Sequence, residues 1–382
     1  VQKFDSIENL FCYNNCIIEG IESNTKMLVR NAVKPDLVLT TTGTRLVSPN
    51  GIPVHYKKMF DTMMRQIIPD NEAYKYLLIQ LGNSMMGYRP INEAVIVAYG
   101  PSAANGKTTI YKLISMMFGD FATSVSNNLL FDSNTRGNAE SATPEIAKMK
   151  GAKFIVTNEV TSANVLNVQL MKQLSGGDPV SYRRLFENAG KAVMNGAQHI
   201  VCNSLFRVPD FNDEGVQRRL VIIEYPSKFV SNVPDNVTDD DLIFPIRELS
   251  KEDLEMLSRC MFYAAIKEYT EWKKTGNNQL PKPKRSEQLV ADYFSRGNVA
   301  VPVLTETCSI RKDLTGVYST LFSQTRCPKK DSMSFILEKF DIETVESITT
   351  GSSAAEIYTL CRKQNVPLPG EKALTKSIIE DN

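Results

Sequence analysis

Residues 99–109 read Tyr-Gly-Pro-Ser-Ala-Ala-Asn-Gly-Lys-Thr-Thr and follow the apolar run Ala94-Val95-Ile96-Val97-Ala98. A buried strand that breaks into a glycine-containing loop and ends in Gly106-Lys107-Thr108 is the layout of a phosphate-binding loop. In that chemistry the loop amides and the N-terminus of the next helix cradle an anion. The lysine meets the terminal phosphates and the threonine hydroxyl takes a magnesium ion. Gly100, Ser102, Ala104, Asn105, Gly106, Lys107, Thr108 and Thr109 are therefore candidate contacts for a nucleoside triphosphate with Mg2+. The spacing is unusual: counting back from Gly106, the place of the first glycine falls on Pro101, and Gly100 sits one residue earlier. A bare Gly-Lys-Thr also suits an ordinary strand–turn–helix connection with a surface lysine, so the apolar strand before it and the apolar helix after it carry the decision.

Other chemistry-bearing residues fall at later strand ends. Lys153-Phe154-Ile155-Val156-Thr157-Asn158-Glu159 is an apolar strand ending in one carboxylate, suited to polarising an attacking water and supporting the metal shell. Asn158 stands where many such enzymes carry a first acid, which leaves direct metal contact mostly to Thr108 and the phosphates. A solvated strand-end glutamate is the plainer reading. Ile200-Val201-Cys202-Asn203 ends in an amide that either holds a γ-phosphate or water in line or caps the next turn.

Between those strands, Leu174-Ser175-Gly176-Gly177-Asp178-Pro179 breaks a helix, and Val180-Ser181-Tyr182-Arg183-Arg184-Leu185-Phe186 alternates like a strand. Asn188-Ala189-Gly190 reads as a turn with Lys191 at its tip. A hairpin tipped by a cation grips a phosphate backbone or is simply solvated. Arg218 and Arg219 precede the apolar run Leu220-Val221-Ile222-Ile223. A guanidinium there is either a solvated strand start or an arginine finger reaching a neighbouring subunit's γ-phosphate.

The elements that must position these groups alternate between 91 and 228: strands at 94–98, 153–157, 199–203 and 219–224, helices at 108–118 and 162–174. That alternation predicts an α/β domain with a largely parallel sheet. Before it, Phe60, Met63, Met64, Ile67 and Ile68, then Tyr74, Leu77, Leu78 and Leu81, recur at helical spacing, with Gly82 and Gly87 expected to end the helical part. After it come an acidic stretch at 230–245, an amphipathic helix at 251–274 carrying the single tryptophan, Trp272, and a Pro/Lys linker at 279–285. The expected organisation is 1–90 mostly helical, 91–228 the motor, 229–296 a helical extension and linker, and 297–382 a small mixed domain.

Composition sets limits. With 382 residues, 42% of them hydrophobic, the chain can bury two or three cores. No run of about 18 apolar residues is present, so no membrane helix is expected. A net charge of +1 means that any nucleic-acid contact depends on locally concentrated cations. The 7 cysteines are irregularly spaced, which suits reduced thiols, and Cys12 and Cys16 lack a second ligand pair for zinc. His199 reads as a packed histidine. The start at Val1 is expected to reflect a piece of a longer protein.

The order of these pieces resembles the superfamily 3 helicases, AAA+ motors of DNA viruses and some phages. Asn-Gly-Lys-Thr-Thr at 105–109, the strand ending in Glu159, the Leu-Ser-Gly-Gly-Asp block with its Arg and Leu-Phe, Asn203 and the Asp-x-Gly-x-x-Arg-Arg strand carry the resemblance, over 54–228. Within the group the chain looks most like the helicase half of the poxvirus-type primase–helicases, also called uncoating nucleoside triphosphatases. The resemblance implies an AAA+ core with a helical N-terminal collar and a winged-helix-like end, and a homohexamer that uses ATP and Mg2+ to move on single-stranded or forked DNA. It further implies Lys107 and Thr108 on nucleotide and metal, Glu159 as catalytic acid, Asn203 as sensor, Arg218 and Arg219 as the in-trans pair, and Lys191 and Arg183 around the DNA-contacting hairpin. A primase segment upstream, other viral replication proteins as partners and the host cytoplasm as location follow from the same resemblance; no primase activity is expected of these residues. An AAA+ ATPase that remodels or uncoats a protein substrate is the alternative, and a small-molecule kinase leaves the arginine pair unexplained.

Overall fold

Four β-branched, apolar segments and one shorter edge segment assemble into a five-stranded sheet. The computed structural model describes residues 9–20, 27–33, 36, 38–131, 144–183, 188–234, 238 and 241–297. By contact density the chain divides into two units, Val1–Val290 and Ala291–Asn382. The boundaries expected at 90/91 and 228/229 thus fall inside the first unit. The small domain expected at 297–382 lies outside the described residues, except for Gly297.

The N-terminal region opens with three short strands, β1 (Leu10–Cys12), β2 (Ile17–Gly20) and β3 (Met27–Arg30), which pair antiparallel in that order. Helices α1 (Val54–Ile67) and α2 (Asn71–Met85) follow. The expectation of a mostly helical 1–90 therefore holds from 54 to 85 but not from 10 to 30. The physical reason is aromatic packing: Phe11, fully buried, stacks on Phe121 at 5.2 Å and meets Phe118 edge-on at 5.7 Å. Gly82 does not end α2, which runs on to Met85; a side chain there would come 2.8 Å from the Ala265 carbonyl of the facing helix.

The α/β region then runs β4 (Val95–Tyr99), α3 (Lys107–Phe118), β5 (Ala122–Val125), α4 (Asn127–Leu130), α5 (Pro144–Met149), β6 (Phe154–Val160) and α6 (Val168–Gly176). A hairpin of β7 (Val180–Tyr182) and β8 (Gly190–Ala192) comes next, then β9 (Ala197–Cys202), α7 (Glu214–Gln217) and β10 (Leu220–Glu224). The sheet order is β10-β4-β9-β6-β5, with all neighbours parallel. Val95, Ile96, Val97 and Ala98 are each no more than 2% exposed, as expected of a strand covered on both faces. From β4 the chain crosses to the far edge, and from β9 it hops over β4 to β10. That reversal makes the carboxyl end of β4 a topological switch point, where open parallel sheets place their ligands.

The rest of the described chain consists of β11 (Lys228–Val230) paired with β12 (Ile243–Pro245), α8 (Lys251–Lys274) and α9 (Lys284–Gly297). Helix α8 has the bounds its periodicity predicts and starts on a capping box in which Ser250 and Asp253 serve each other's backbone amides. Segment 162–167, expected as the start of a helix, is instead irregular, with bridges from Leu166 to Phe131 and from Val165 to Arg207, and α6 begins only after its cap, Asn167.

Candidate functional site

Asn105 organises the loop at the end of β4. It is 4% exposed, and its Nδ2 donates to the Ser102 carbonyl at 2.6 Å and to the Gly100 carbonyl at 3.3 Å. That brace folds the loop back on itself. Ala104 (φ +55°) and Gly106 (φ +82°) take the left-handed conformation that releases the chain into α3. A Cβ on Gly106 would meet the Ile67 side chain at 2.7 Å, so α1 backs the loop closely.

Gly100 explains the unusual spacing. A side chain there would collide with Asn105 Nδ2 and lie 2.8 Å from Lys107 Nζ and 3.0 Å from the Tyr225 carbonyl. The glycine is needed one residue earlier because a lysine and an asparagine both come in against the loop backbone. Lys107 is 5% exposed, and its Nζ donates to the Gly100 carbonyl and to Asn203 Oδ1, both at 2.8 Å. Burial pushes its ammonium below the usual lysine range. Thr108 is exposed and Thr109 and Ser102 are half-buried, so the first turn of α3 opens to solvent.

Two further strand tips lie at the same carboxyl end of the sheet. Asn203 follows β9 and reaches Lys107 directly. Glu159 sits on β6, the next strand over, where the pairing with β9 slips between Thr157 and Val160. The bulge leaves Asn158 and Glu159 exposed in succession, with Glu159 at φ +60°. The strand thus continues one residue past Glu159 rather than ending on it. Among the described residues no cluster of three or more His, Cys, Asp or Glu side chains suits a metal. A metal at Thr108 and Glu159 would need the phosphates as further ligands.

Arg218 and Arg219 lie at the other end of the sheet. Arg219 precedes β10, and its carbonyl accepts from Val95 N–H at 2.8 Å, at the start of β4, whereas Gly100 follows the last residue of β4. Five strand residues at about 3.3 Å each put roughly 16 Å between the arginine turn and the loop of the same chain. The two guanidinium groups differ. Arg219 is 8% exposed and donates to Ser175 Oγ at 3.1 Å and the Gly215 carbonyl at 2.8 Å. Burial pushes its pKa down, with Glu93 opposing. Arg218 has a 55% exposed side chain and pairs with Glu93 Oε2 at 2.7 Å. Arg219 pairs with the same oxygen. Glu93, which sequence reasoning missed, is 125 residues from Arg218 in the chain and no local pattern marks it. It follows Asn92 in a tight turn where both residues have positive φ, 59° and 56°.

Lys191 is not at a hairpin tip. It lies inside β8, opposite Ser181 of β7, and is exposed. Arg183 is exposed just past β7, and 184–187 lie outside the described residues. The pairing of Tyr182 with Gly190 has a steric cause: a Cβ on Gly190 would meet the Tyr182 ring at 2.9 Å. Lys150, also missed in the sequence, donates to the Tyr182 hydroxyl at 3.0 Å and lies 5.4 Å from its ring centre. The polar stretch Asp132-Ser133-Asn134-Thr135-Arg136-Gly137-Asn138, whose composition reads as a loop over the nucleotide face, lies outside the described residues.

The chain has relatives among proteins of large DNA viruses. Over 175 residues (46% of this chain, 18% of the other) the chain is 29% identical to a protein named "Putative helicase" from Acanthamoeba polyphaga mimivirus. It is 27% identical over 184 residues (47% and 18%) to a Frog virus 3 protein of the same description, and 26% identical over 181 residues (47% and 18%) to one named "Putative primase" from African swine fever virus. The chain resembles replication helicases and primases of large DNA viruses. Each match spans 18% of the relative's length, well short of the whole viral protein. No family model matches the chain. Among solved structures, the C-terminal region of NrS-1 covers 98% of this chain (90% of its own) at 11% identity and a TM-score of 0.43, a loose likeness. Among the described residues no helix is long and apolar enough to cross a membrane.

Proposed function

We propose that the chain is the motor of an ATP-driven DNA helicase of viral genome replication, with ATP hydrolysed between subunits of a ring. One observation carries the reading: an anion cradle around Lys107 stands at the carboxyl end of β4, and an exposed arginine, Arg218, stands about a strand's length away at its start. A single chain has both halves of a phosphoryl-transfer site but no way to bring them together, whereas a ring of identical subunits does so at every interface.

The loop residues fit a triphosphate. Glycine at 100 and 106 keeps the backbone open, and Lys107 is held by two neutral oxygens that a phosphate oxygen replaces without breaking an ion pair. The amides from Gly100 to Thr109 bind and orient the phosphates, and Lys107 neutralises the terminal one. Thr108 and Glu159 would hold Mg2+, which when bound would spread the charge developing on the phosphates. Glu159 takes the proton of the attacking water, and Asn203 orients that water once Lys107 has turned to the nucleotide. Arg218 of one subunit completes the site of the next, while Arg219 stays in its own subunit as an anchor.

The hairpin bearing Lys191 and Arg183 grips single-stranded or forked DNA through the backbone. A homohexamer, a primase segment in the same polypeptide, other viral replication proteins as partners and the host cytoplasm complete the reading, as do the assignments of 1–90 as collar and 297–382 as a winged-helix-like domain. The test is ATP hydrolysis with and without single-stranded DNA, together with strand separation of a forked duplex. DNA-stimulated turnover with unwinding is the expected result. Turnover that ignores DNA, with no strand separation by assembled rings, overturns the reading.

A further inference from the structure

The Pro/Lys segment expected to be a linker is packed along the open edge of β10. Leu280 and Ser286 are 6% and 1% exposed. The Ser286 hydroxyl accepts the Ile222 N–H at 2.9 Å, satisfying an edge-strand donor that has no sheet partner. Arg285 pairs with Glu224 at 2.9 Å at the carboxyl end of β10, and the Leu280 carbonyl accepts from Asn92 Nδ2 at 2.6 Å, beside Glu93. The segment is therefore a strap that follows β10 from the arginine turn toward the nucleotide end.

Lys282 is its unusual member. Its Nζ donates to the Gln217 carbonyl and the Leu220 carbonyl, both at 2.9 Å. Those two carbonyls bracket Arg218 and Arg219: the first closes α7 and the second opens β10. Burial lowers the pKa of this ammonium, with the more distant Glu287 opposing. A cation placed on a helix-terminal carbonyl is favourable in itself. Here it also ties the helix end to the strand start across the two arginines, so that their backbone has one fixed path.

We propose that Lys282 is a positioning residue for Arg218, fixing the turn from which that arginine reaches the phosphate bound by the next subunit. The inference rests on the in-trans role given to Arg218 above. Arg218 has a long side chain and one ion-pair partner, so its reach depends on where its Cα is held. Misplacement of a transition-state group by about 1 Å costs on the order of a hundredfold in rate.

The experiment compares Lys282→Met, which keeps the aliphatic stem and loses the donors, with Lys282→Arg, which keeps donors and charge. The readouts are kcat and KM for ATP in the presence of single-stranded DNA, and the melting temperature. Lys282→Met is expected to lower kcat by between about tenfold and a hundredfold with KM unchanged, and Lys282→Arg to restore most of it. Mixing Lys282→Met with Lys107→Ala subunits should raise turnover above the sum of the separate proteins, because the second variant supplies a well-placed Arg218 to the intact loop of the first. A Lys282→Met protein with wild-type kcat overturns the proposal. So does a loss of kcat that follows the melting temperature and is restored neither by arginine nor by mixing, since Lys282 is then only a prop. Arg218→Ala run alongside separates the two readings. If it keeps full turnover the in-trans role itself fails, and if it is inactive while Lys282→Met is normal only the positioning role fails.

Discussion

The two ends of β4 each hold cationic side chains, and they hold them differently. At the nucleotide end Lys107 is nearly buried and donates to a carbonyl and an amide oxygen, both neutral. At the arginine end Arg218 and Arg219 share one carboxylate, Glu93. A phosphate arriving at the first end displaces dipoles and gains a full charge. One arriving at the second competes with an ion pair already in place. In the proposed reading the first end is ready to bind in the lone subunit, and at the second Glu93 holds both arginines, with one positive charge left over, until a neighbour's nucleotide offers more negative charge than Glu93 does.

Arg218→Ala tests that contrast most sharply. If the arginine end acts only across an interface, the variant binds ATP as the parent does but turns it over about 10³-fold more slowly, the lower bound usual for an arginine finger. Turnover near the parent's level would break the contrast, since both ends would then serve something other than phosphoryl transfer. Lys107→Ala removes the charge from the nucleotide end and is expected to cost about 10²-fold or more in turnover. It should also weaken nucleotide binding, measured by titration with a fluorescent ATP analogue. A Lys107→Ala protein with the parent's affinity would mean that the loop amides alone hold the phosphates.

The two arginines can be separated in the same way. Arg219 is the buried one, tied to Ser175, to the Gly215 carbonyl and to Glu93. Arg219→Ala removes a buried guanidinium and its three contacts at once and is expected to destabilise the fold by about 1–3 kcal/mol, read by denaturant unfolding. Arg218→Ala, at a half-exposed position, should shift the same curve by about 1 kcal/mol or less. Equal destabilisation by both would remove the distinction between anchor and finger.

Much of the nucleotide end was legible in the sequence, because its parts are local. The apolar strand, the left-handed turn at Gly106 and the helix after it are consecutive, and the strand tips Glu159 and Asn203 announce themselves by an apolar run ending in a polar group. The bounds of α8 were legible for the same reason, through a capping box and helical spacing. The arginine end was legible only by half. Arg218 and Arg219 stand out, but Glu93 reaches Arg218 from 125 residues before and Lys282 reaches the Gln217 carbonyl beside it from 65 residues after, through tertiary packing that no periodicity encodes. The strap was misread as a linker because proline and lysine suit both an exposed connection and an edge-strand cover. The place of Lys191 was missed because a short hairpin's register depends on which residues pair, and Tyr182 over Gly190 decides it.

A pH-dependent effect concerns the contact between α3 and the middle of the sheet. His199 is 1% exposed on β9, where its Nδ1 and the Tyr111 hydroxyl of α3 are hydrogen-bonded at 2.9 Å and the Phe154 ring packs 4.8 Å away. Burial pushes its pKa down to about 3, so the imidazole is neutral in the fold and joins α3 to the sheet without adding charge. The unfolded chain has an ordinary histidine with a pKa of about 6.5. Below that pH the unfolded state takes up a proton that the native state refuses, so stability is fully present above about pH 6.5 and falls as pH drops toward 3. The expected loss from this residue is about 1.4 kcal/mol per pH unit. His199→Gln retains a hydrogen-bonding side chain and cannot titrate, so its unfolding free energy should fall less steeply than the parent's between pH 6.5 and 4.5. Parallel pH profiles for the two proteins would show that His199 takes up its proton in the fold as well, and the uncharged contact between α3 and the sheet, with its contrast to the carboxylate-held arginines, would be wrong.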